Sequence, residues 1–496
     1  MRIEDARPPA YDSDHVGAVS RPDTVPGHVE RTSRDDVDVV VVGGGISGLS
    51  AARDLCMAGL RVALLEADDR CGGKIRTERV GDFVIDSGPD TLLGHKPAAL
   101  ALCRELGLDA SLVPPMTPRT TFVVRRGTLR ALPETSAFGF PTDWWSLVTT
   151  TAFSWRGKAR MAAEPLVGRG TGTDESIASF VGRRFGREAV TYLAAPLLAG
   201  LHKGDATKLS MHALFPGFVD AERTHGSVVR SWRQRTAGAS PGPGSMSLEE
   251  GLGQLVQCLR ETLPSGVVRL GARVTSVSVA RCLAPQRPFR TTLAGGGAVD
   301  SRAVLLSVPP PVVGAVVRAV DAELARLAGA IRCESSVTVA LGYPRAMVRH
   351  PLRGWGVVVP TMARRHVTAV SWVSSKWANR APVDDVLFRV SLGGAAHADA
   401  IDVSDDEAIA RAHVDLALML GITAGPTFSR VYRWRRAIPQ FDVGHLERMA
   451  AIDRRLDQHP GLFLSAAGFR GVGLPDCIGD ARGAARRAIQ HLNGGA

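Results

Sequence analysis

The sequence predicts an α/β fold in which helices pack on parallel strands. Of the 496 residues, 45% are hydrophobic and only 5% are aromatic, so the core is built mainly from Ala, Val and Leu. An apolar run at 38–42 precedes helical spacing of apolar residues over 46–59 and a second apolar run at 61–66. This order is typical of a βαβ unit. At this length we expect two or three domains.

The other elements follow from local spacing and from turn residues. The longest apolar region, 303–320, carries Pro309, Pro310 and Pro311 at its centre, which excludes a membrane-spanning helix and predicts a buried strand leading into a turn. The remaining predicted elements are a helix at 97–110, a hairpin at 121–132, an interrupted helical region at 138–205, a loop at 236–247, a helix at 248–263, short strands near 267–278, 289–294 and 302–308, a strand-rich block at 336–395, a last strand at 461–465 and a closing helix at 475–492. Because the α/β pattern stands at both ends of the chain, we expect one discontinuous domain.

Charge and cysteine content narrow the classes of partner and compartment. The net charge is +11, but the arginines are scattered without a basic stripe interleaved with aromatic residues, which argues against nucleic acid. The seven cysteines are spaced singly, which predicts reduced thiols, no metal site and a cytoplasmic protein. Residues 1–36 lack the apolar stretch of a secretory signal and predict a disordered tail. A peripheral contact with a membrane surface stays open.

The first strand and helix are joined by a glycine motif that predicts a dinucleotide site. Gly43 permits the tight turn, Gly45 lets the backbone approach a pyrophosphate, and Gly48 lets the helix pack on the sheet. The free N–H groups and the dipole of the helix N-terminus favour phosphate. Glu66, at the end of the second strand, can accept hydrogen bonds from a ribose diol and would repel the 2′-phosphate of NADP. FAD and NAD both fit this pattern.

The segment after Glu66 favours FAD over NAD. In DDRCGGK, Gly72 and Gly73 lie between two cations, Arg70 and Lys74, and this flexible basic turn can pass close to a ribityl chain and a pyrophosphate. The next motif, IDSGPD at 85–90, is a turn that could bring backbone to a ring system. An ordinary basic turn without a ligand would show the same sequence pattern as DDRCGGK.

Several motifs together resemble the flavin-dependent amine oxidase and protoporphyrinogen oxidase superfamily. The general matches are GGGISGLSAARDL (43–55), LLEADDRCGGKIRT (64–77) and IDSGPD. The more specific ones are similar to the porphyrinogen oxidases of haem synthesis: APLLAGLHKGDATKLSMHALFP (195–216), SSKWANRAP (374–382), YRWRRAIPQF (432–441) and FRGVGLPDCI (469–478). The resemblance covers nearly everything from residue 37 to the end.

The resemblance implies a set of residues that hold FAD. These are Gly43, Gly44, Gly45, Ile46, Ser47, Gly48, Glu66, Ala67, Lys74, Gly88, Pro89, Asp90, Thr91, Val274, Trp434, Gly471, Val472 and Gly473. The backbone of Val274 matches the position that meets the adenine, and Trp434 matches a position at the flavin, although a core aromatic would read the same way. The chain departs from the family at Ser465, Ala466 and Ala467, where an acidic or amide residue is usual, and this puts one cofactor contact in doubt.

The closing helix has its own physical reason to face the flavin. Pro475 suits the first turn of a helix, and Asp476 is favoured there by the helix dipole. If this N-terminus points at the pyrimidine edge, its N–H groups stabilise the negative charge that arrives with a hydride.

The domain boundaries follow from combining these motifs with the element pattern. A Rossmann-like FAD-binding domain is predicted from 37–95, 241–300 and 455–496, and a mainly helical insertion from 96–205. A strand-rich substrate-binding domain is predicted from 206–240 and 301–454.

The resemblance implies oxidation of a porphyrinogen to a porphyrin in haem synthesis. The substrate is coproporphyrinogen III or protoporphyrinogen IX, and dioxygen reoxidises the flavin. Lys96 matches a basic position that can face a propionate, although a solvated lysine at a helix start is the equal alternative. No Ser/His/Asp set, metal-spaced cluster or carboxylate pair stands out, so no side chain is assigned as a catalytic base.

Three alternatives stay open at this point. The chain could be an amine oxidase or a carotenoid desaturase, both enzymes of the same superfamily. It could also be a tetrapyrrole-binding flavoprotein without catalysis. Handing the porphyrin to the next enzyme of haem synthesis would suit a photoreactive product, but no residue argues for it, and the oligomeric state is not readable.

Overall fold

The computed structural model describes residues 37–133, 144–236, 244–279 and 288–494. The predicted disordered tail, residues 1–36, lies outside this part of the chain. The strands are β1 (Val39–Val42), β2 (Val62–Leu65), β3 (Thr77–Val80), β4 (Phe83–Asp86), β5 (Leu92–Leu93), β6 (Leu112–Val113), β7 (Thr121–Arg125), β8 (Thr128–Ala131), β9 (Ser245–Leu248), β10 (Val268–Arg269), β11 (Val274–Val279), β12 (Phe289–Leu293), β13 (Ala298–Ser301), β14 (Ala303–Leu306), β15 (Cys333–Pro344), β16 (Gly356–Val358), β17 (Val367–Trp372), β18 (Asp385–Gly393), β19 (Phe428–Pro439) and β20 (Leu462–Leu464).

The helices lie between these strands and in one long block before β9. They are α1 (Ile46–Met57), α2 (Pro97–Glu105), α3 (Trp144–Thr149), α4 (Trp155–Ala162), α5 (Ile177–Phe185), α6 (Arg187–Ala189), α7 (Ala195–Leu201), α8 (Met211–Leu214), α9 (Pro216–His225), α10 (Val228–Thr236), α11 (Gly253–Glu261), α12 (Pro310–Val316), α13 (Ala322–Gly329), α14 (Val373–Lys376), α15 (Asp405–Leu420), α16 (His445–Leu456) and α17 (Leu474–Gly494). A π-helical turn at Val190–Ala194 leads into α7.

The predicted α/β fold is confirmed by a five-stranded sheet in the order β10-β2-β1-β14-β20. Its neighbouring strands are parallel; Val39, for example, is level with Val62 on one side and with Ala303 on the other. Successive side chains of a strand point to opposite faces, and here both faces are covered. Val39 and Val41 pack in one buried cluster with α1 and α17, whereas Val40 and Val42 pack in a second one with α12 and α13. This explains why β1 consists of valines alone.

One strand of this sheet belongs to a different domain in the predicted division. The strand β14 was placed with the substrate-binding residues 301–454, but it pairs with β1 at the centre of the parallel sheet. The prolines after it also behave differently from the prediction of a plain turn. Pro309 precedes α12, and Pro310 and Pro311 form its first turn, where the missing N–H groups would have no helical partner in any case. The predicted helix at 248–263 begins only at Gly253, because Ser245–Leu248 form β9.

A second sheet of seven strands has the order β19-β15-β18-β17-β16-β7-β8. The predicted hairpin at its edge is confirmed as β7 and β8, with Arg126 and Gly127 at the turn, both at positive φ. Ser336 on β15 is level with Trp434 on β19 and with Gly393 on β18. We call these three residues the tryptophan row.

The predicted helical region at 138–205 is confirmed over 144–205 by α3 to α7, and residues 138–143 lie outside the described part of the chain. The core of this region borders a small, partly open apolar pocket, lined by Ile177, Val181, Ala194, Leu197, Leu198, Leu201, His202, Met211, Phe215 and Phe218. None of the helices in the described residues is both long and apolar enough to cross a lipid bilayer. The same residues contain no group of three or more His, Cys, Asp or Glu side chains arranged to hold a metal ion.

Candidate functional site

The glycine turn between β1 and α1 has the geometry of a phosphate cradle. Gly43 is at φ +102°, and a Cβ there would lie 2.7 Å from the Ser307 carbonyl oxygen. A Cβ on Gly48 would collide with the carbonyl oxygen of Gly43, so the helix can approach the strand only without a side chain. A Cβ on Gly45 would meet no atom within 4 Å. The backbone at Gly45 therefore borders open space at the N-terminus of α1, where an anion is favoured.

Glu66 closes this turn from the end of β2. Its carboxylate accepts hydrogen bonds from the N–H groups of Gly44 and Asp68, which fix both oxygens beside the glycines. The Glu66 carbonyl oxygen accepts a hydrogen bond of 2.7 Å from the N–H of Ala272, just before β11. The predicted adenine residue Val274 begins that strand. The residues predicted for the ribose and the adenine thus lie together.

The DDRCGGK segment packs directly on the glycine turn. The N–H of Gly72 donates to the Gly44 carbonyl oxygen at 2.8 Å, and Gly72 pairs with Gly45 in a short parallel bridge. Arg70 folds back on the carbonyl oxygens of its own loop, so its charge serves the turn. Within the described residues, the Lys74 ammonium has neither a hydrogen-bond acceptor nor a carboxylate partner, and burial lowers its pKa. Lys74 is therefore the cation of this segment that is available to a bound group.

The predicted turn Gly88, Pro89, Asp90 and Thr91 rests on a buried cluster of charges. Both Lys376 and Arg389 lie 3.4 Å from the Asp90 carboxylate, and Lys376 also donates to the Thr91 hydroxyl at 2.7 Å. Burial alone would raise the pKa of Asp90, but these two cations hold it well below its ordinary value. Arg389 donates to the Gly88 carbonyl oxygen at 2.6 Å. The cluster therefore fixes this turn from below.

Arg389 lies in an ordinary strand pattern, and no motif marks it as a site residue. Lys376 falls in the SSKWANRAP motif, where the resemblance drew attention to the segment without assigning a role. Its ammonium also stacks over the rings of Trp355 and Trp377 at 4.7 and 4.8 Å. Both residues support the site rather than line it, and this is why a search for ligand-binding motifs overlooks them.

Trp434 lies at the same turn. Its indole N–H donates to the Ser87 carbonyl oxygen at 3.2 Å, and its ring lies 3.9 Å from the position of a Cβ on Gly88. A Cβ on Gly88 would also collide with the Lys74 carbonyl oxygen. Lys74, Gly88 and Trp434, predicted from three separate motifs, therefore meet at one place.

The closing helix α17 completes this arrangement from the other end of the chain. The Ser47 hydroxyl lies 3.4 Å from the Cys477 carbonyl oxygen, so the first turns of α1 and α17 are in contact. Alanines of α17 pack against the small residues of α1, which allows the two helices to approach closely. Two helix N-termini with their positive dipole ends thus face the same region.

The turn Gly471, Val472 and Gly473 is fitted around Asp476. A Cβ on Gly471 would collide with the Asp476 side chain, and a Cβ on Gly473 would lie 3.1 Å from its carboxylate. That carboxylate binds Lys96, the predicted propionate ligand, through both oxygens. Lys96 is therefore neutralised within the protein, and its placement does not favour the substrate role over the structural one.

The last strand ends where the chain departs from the family pattern. Ser465 is fully buried and its N–H continues the sheet by donating to the Leu306 carbonyl oxygen. Ala466 is also buried, in the cluster beside α12 and α13. Because alanine has no polar side-chain atom, a flavin contact at Ala466 or Ala467 would have to come from the backbone.

Together these residues pass a test of fit for a flavin dinucleotide. The chain offers an open glycine turn, two helix N-termini, a fixed carboxylate for a ribose, a half-buried lysine without a described partner and an indole beside a glycine. The chemistry of these groups fits a phosphate, a diol and an aromatic ring.

Comparison with known proteins gives consistent matches over this same range. The sequence profile of the flavin-containing amine oxidoreductases matches residues 46–489. A coproporphyrinogen III oxidase of Bacillus subtilis is 32% identical over 469 residues, covering 92% of this chain and 98% of the relative. Protoporphyrinogen oxidase 2, chloroplastic/mitochondrial, of Arabidopsis thaliana is 26% identical over 486 residues, covering 92% and 94%.

Solved structures agree with the sequence matches. A provisionally named protoporphyrinogen oxidase from Exiguobacterium sp. 255-15 superposes with a TM-score of 0.80 at 29% identity, covering 92% of this chain and 99% of that one. A reduced UDP-galactopyranose mutase superposes with a TM-score of 0.67 at 15% identity, covering 93% and 96%, which shows the shared fold alone.

Proposed function

The chain belongs to the flavin-containing amine oxidoreductases, and on this basis we propose that it is an FAD-dependent porphyrinogen oxidase of haem synthesis. The observation that carries the proposal is the similarity to the coproporphyrinogen III oxidase of Bacillus subtilis, which runs through 92% of this chain and 98% of that one. The specific motifs at 195–216, 374–382, 432–441 and 469–478 lie in the matched range.

The cofactor we propose is FAD, held in the discontinuous domain that contains the parallel sheet. Its pyrophosphate would lie on the open turn at Gly45, its ribose at Glu66 and its adenine at the backbone of Val274. The ring would lie among Lys74, the Gly88–Thr91 turn, Trp434 and the Gly471–Gly473 turn. When bound, this group supplies a ring that accepts a hydride and passes the electrons to dioxygen.

The protein residues position the substrate and stabilise the charge that develops on hydride transfer. The N–H groups at the start of α17 and the Lys74 ammonium offer positive charge at the proposed ring site. Because aromatisation drives the reaction, positioning is the main task of the protein, and we assign no side chain as a base.

The substrate we favour is coproporphyrinogen III. A coproporphyrinogen III oxidase of Propionibacterium freudenreichii is 31% identical over 497 residues. The protoporphyrinogen oxidase 2 of Arabidopsis thaliana is 26% identical. Each oxidation step removes a hydride from a bridging carbon and a proton from a pyrrole nitrogen. Dioxygen, the acceptor we propose, takes up both as hydrogen peroxide.

The test is a fluorescence assay on purified protein loaded with FAD. Coproporphyrinogen III and protoporphyrinogen IX are supplied separately in air, and porphyrin emission and hydrogen peroxide are followed together. We expect both signals to rise in step, faster with coproporphyrinogen III. Porphyrin formation from neither substrate above the rate without enzyme contradicts the proposal.

A further inference from the structure

Lys203 follows helix α7 in a backbone conformation that a side chain rarely adopts. Its φ is +55°, in the left-handed region. Gly394 lies against Lys203, and a Cβ on Gly394 would lie 2.7 Å from the Lys203 carbonyl oxygen. Only a residue without a side chain therefore fits there. The same oxygen accepts a hydrogen bond of 2.9 Å from the Ala395 N–H. Such strain persists only where the surrounding structure holds it in place.

The Lys203 side chain is buried without a counter-ion. It is 7% exposed, and its ammonium donates to the Gly200 carbonyl oxygen at 2.7 Å. Within the described residues, no carboxylate pairs with it. An ammonium has three donors, so this arrangement leaves two of them without a described acceptor.

The charged groups that face Lys203 are cationic or neutral. Burial and the nearby Arg389 guanidinium lower the pKa of Lys203 to about 7. Arg389 itself is occupied by Gly88 and Asp90. The neighbouring His202 is half-buried, and burial and nearby cations lower its pKa to about 4, so it adds no negative charge. A buried ammonium in such surroundings destabilises the protein unless an anion joins it.

Lys203 is joined to the proposed ring site through the tryptophan row. Trp434, Ser336 and Gly393 are level on three neighbouring strands, and Gly394, the next residue, touches Lys203. Gln440, just past the end of β19, also donates to the His202 carbonyl oxygen at 2.9 Å. The loop that contains Lys203 is therefore in contact with the strands that form the tryptophan row.

Resting on the proposed function, we propose that Lys203 is a specificity-determining residue that binds a substrate carboxylate. Coproporphyrinogen III carries two propionates at positions where protoporphyrinogen IX carries vinyl groups. An ammonium that lacks a counter-ion gains a partner from the first substrate and faces an apolar group in the second. The interaction is charge-assisted and buried, where such bonds are strong.

The test compares Lys203→Met with wild type, both loaded with FAD, on both substrates. We expect KM for coproporphyrinogen III to rise about tenfold or more and kcat to change less than about twofold. KM for protoporphyrinogen IX should stay within about threefold of wild type. The matched control is Lys208→Met, five residues further along the same loop and exposed, which should change neither value. An unchanged KM, or an equal change for both substrates, overturns the proposal.

Thermal unfolding of the ligand-free variant separates this role from a merely structural one. A folded pKa of about 7 lies below the ordinary value of about 10.4, so the charged lysine opposes folding most strongly at low pH. We therefore expect Lys203→Met to unfold at a higher temperature than wild type, with a larger increase at about pH 6 than at about pH 9. A lower unfolding temperature at both pH values contradicts an uncompensated charge.

A binding titration keeps this proposal distinct from the proposed reaction. If wild type oxidises neither porphyrinogen, the reaction fails, and the binding of coproporphyrin III and of its tetramethyl ester is measured by absorbance. Lys203→Met should weaken binding of the free acid and leave the ester unchanged. If wild type binds acid and ester equally well, Lys203 has no carboxylate partner and the proposal fails.

Discussion

Lys96 and Asp476, 380 residues apart in the chain, form an ion pair in which the Lys96 Nζ lies 2.7 Å and 2.8 Å from the two carboxylate oxygens. The pair joins the start of α2 to the start of α17. Since Asp476 fills the turn at Gly471 and Gly473, the pair also fixes a part of the proposed flavin site.

The first prediction concerns this pair. Lys96→Met should lower the free energy of unfolding by up to about 1 kcal/mol, because both side chains are partly exposed to solvent. Adding Asp476→Asn should restore most of it, since no unpaired carboxylate remains. Urea unfolding of the FAD-loaded protein measures both. If KM for coproporphyrinogen III rises equally in the single and double variants, Lys96 binds the substrate instead.

The second prediction uses two glycines of one turn. Gly45→Ala should leave the unfolding free energy within about 1 kcal/mol of wild type, because its Cβ meets no atom, but should weaken FAD binding about tenfold or more. Gly48→Ala should destabilise the ligand-free protein as well, since its Cβ collides with the backbone. Flavin fluorescence titration and thermal unfolding are measured on both. Equal behaviour of the two variants would argue against an open cradle at Gly45.

The third prediction ranks the members of the buried charge cluster. Asp90→Asn leaves Lys376 and Arg389 buried without their shared carboxylate, and we expect a loss of about 3–5 kcal/mol in unfolding free energy. Lys376→Met leaves Asp90 paired with Arg389, so its loss should be clearly smaller. Urea unfolding at neutral pH gives both values. The reverse order would show that Lys376, and not Asp90, is the centre of the cluster.

The fourth prediction is a pH dependence at the start of α13. Asp321 caps this helix and also accepts hydrogen bonds from Arg455 and His459, which together lower its pKa to about 2 despite its burial. A lowered carboxyl pKa stabilises the fold above about pH 4, and this contribution is lost as the pH falls towards about 2.

Asp321→Asn should therefore lower the unfolding free energy by about 2 kcal/mol at pH near 7, and the difference should shrink below about pH 4. Urea midpoints at several pH values measure it. The control is Glu323→Gln in the same turn, an exposed residue that should shift the midpoint little. A difference that does not change with pH would mean that the amide replaces all of these contacts.

The sequence predicted those parts of the fold whose signals are local. The β1–α1–β2 unit follows from valines, three glycines and an acid within thirty residues, and the hairpin at β7 and β8 follows from its two turn residues. These patterns reflect backbone sterics and burial on both faces, which act between neighbours.

The parts that escaped prediction depend on pairing between distant residues. Asp90 meets Lys376 across 286 positions, and neither residue carries a mark of its partner. The same holds for Lys96, whose basic character fits a propionate and an aspartate equally well. Three prolines after β14 suggested a break, but their position at a helix start, where no N–H is needed, was decided by the sheet before them.

The contact between Ser47 and Cys477 has a consequence for folding during protein synthesis. The two residues are 430 positions apart, and synthesis at about 5 to 20 residues per second separates them by roughly 20 to 90 s. During that interval the apolar face of α1 is not covered by α17. The chain can therefore form this contact and complete the proposed flavin site only after α17 has been translated.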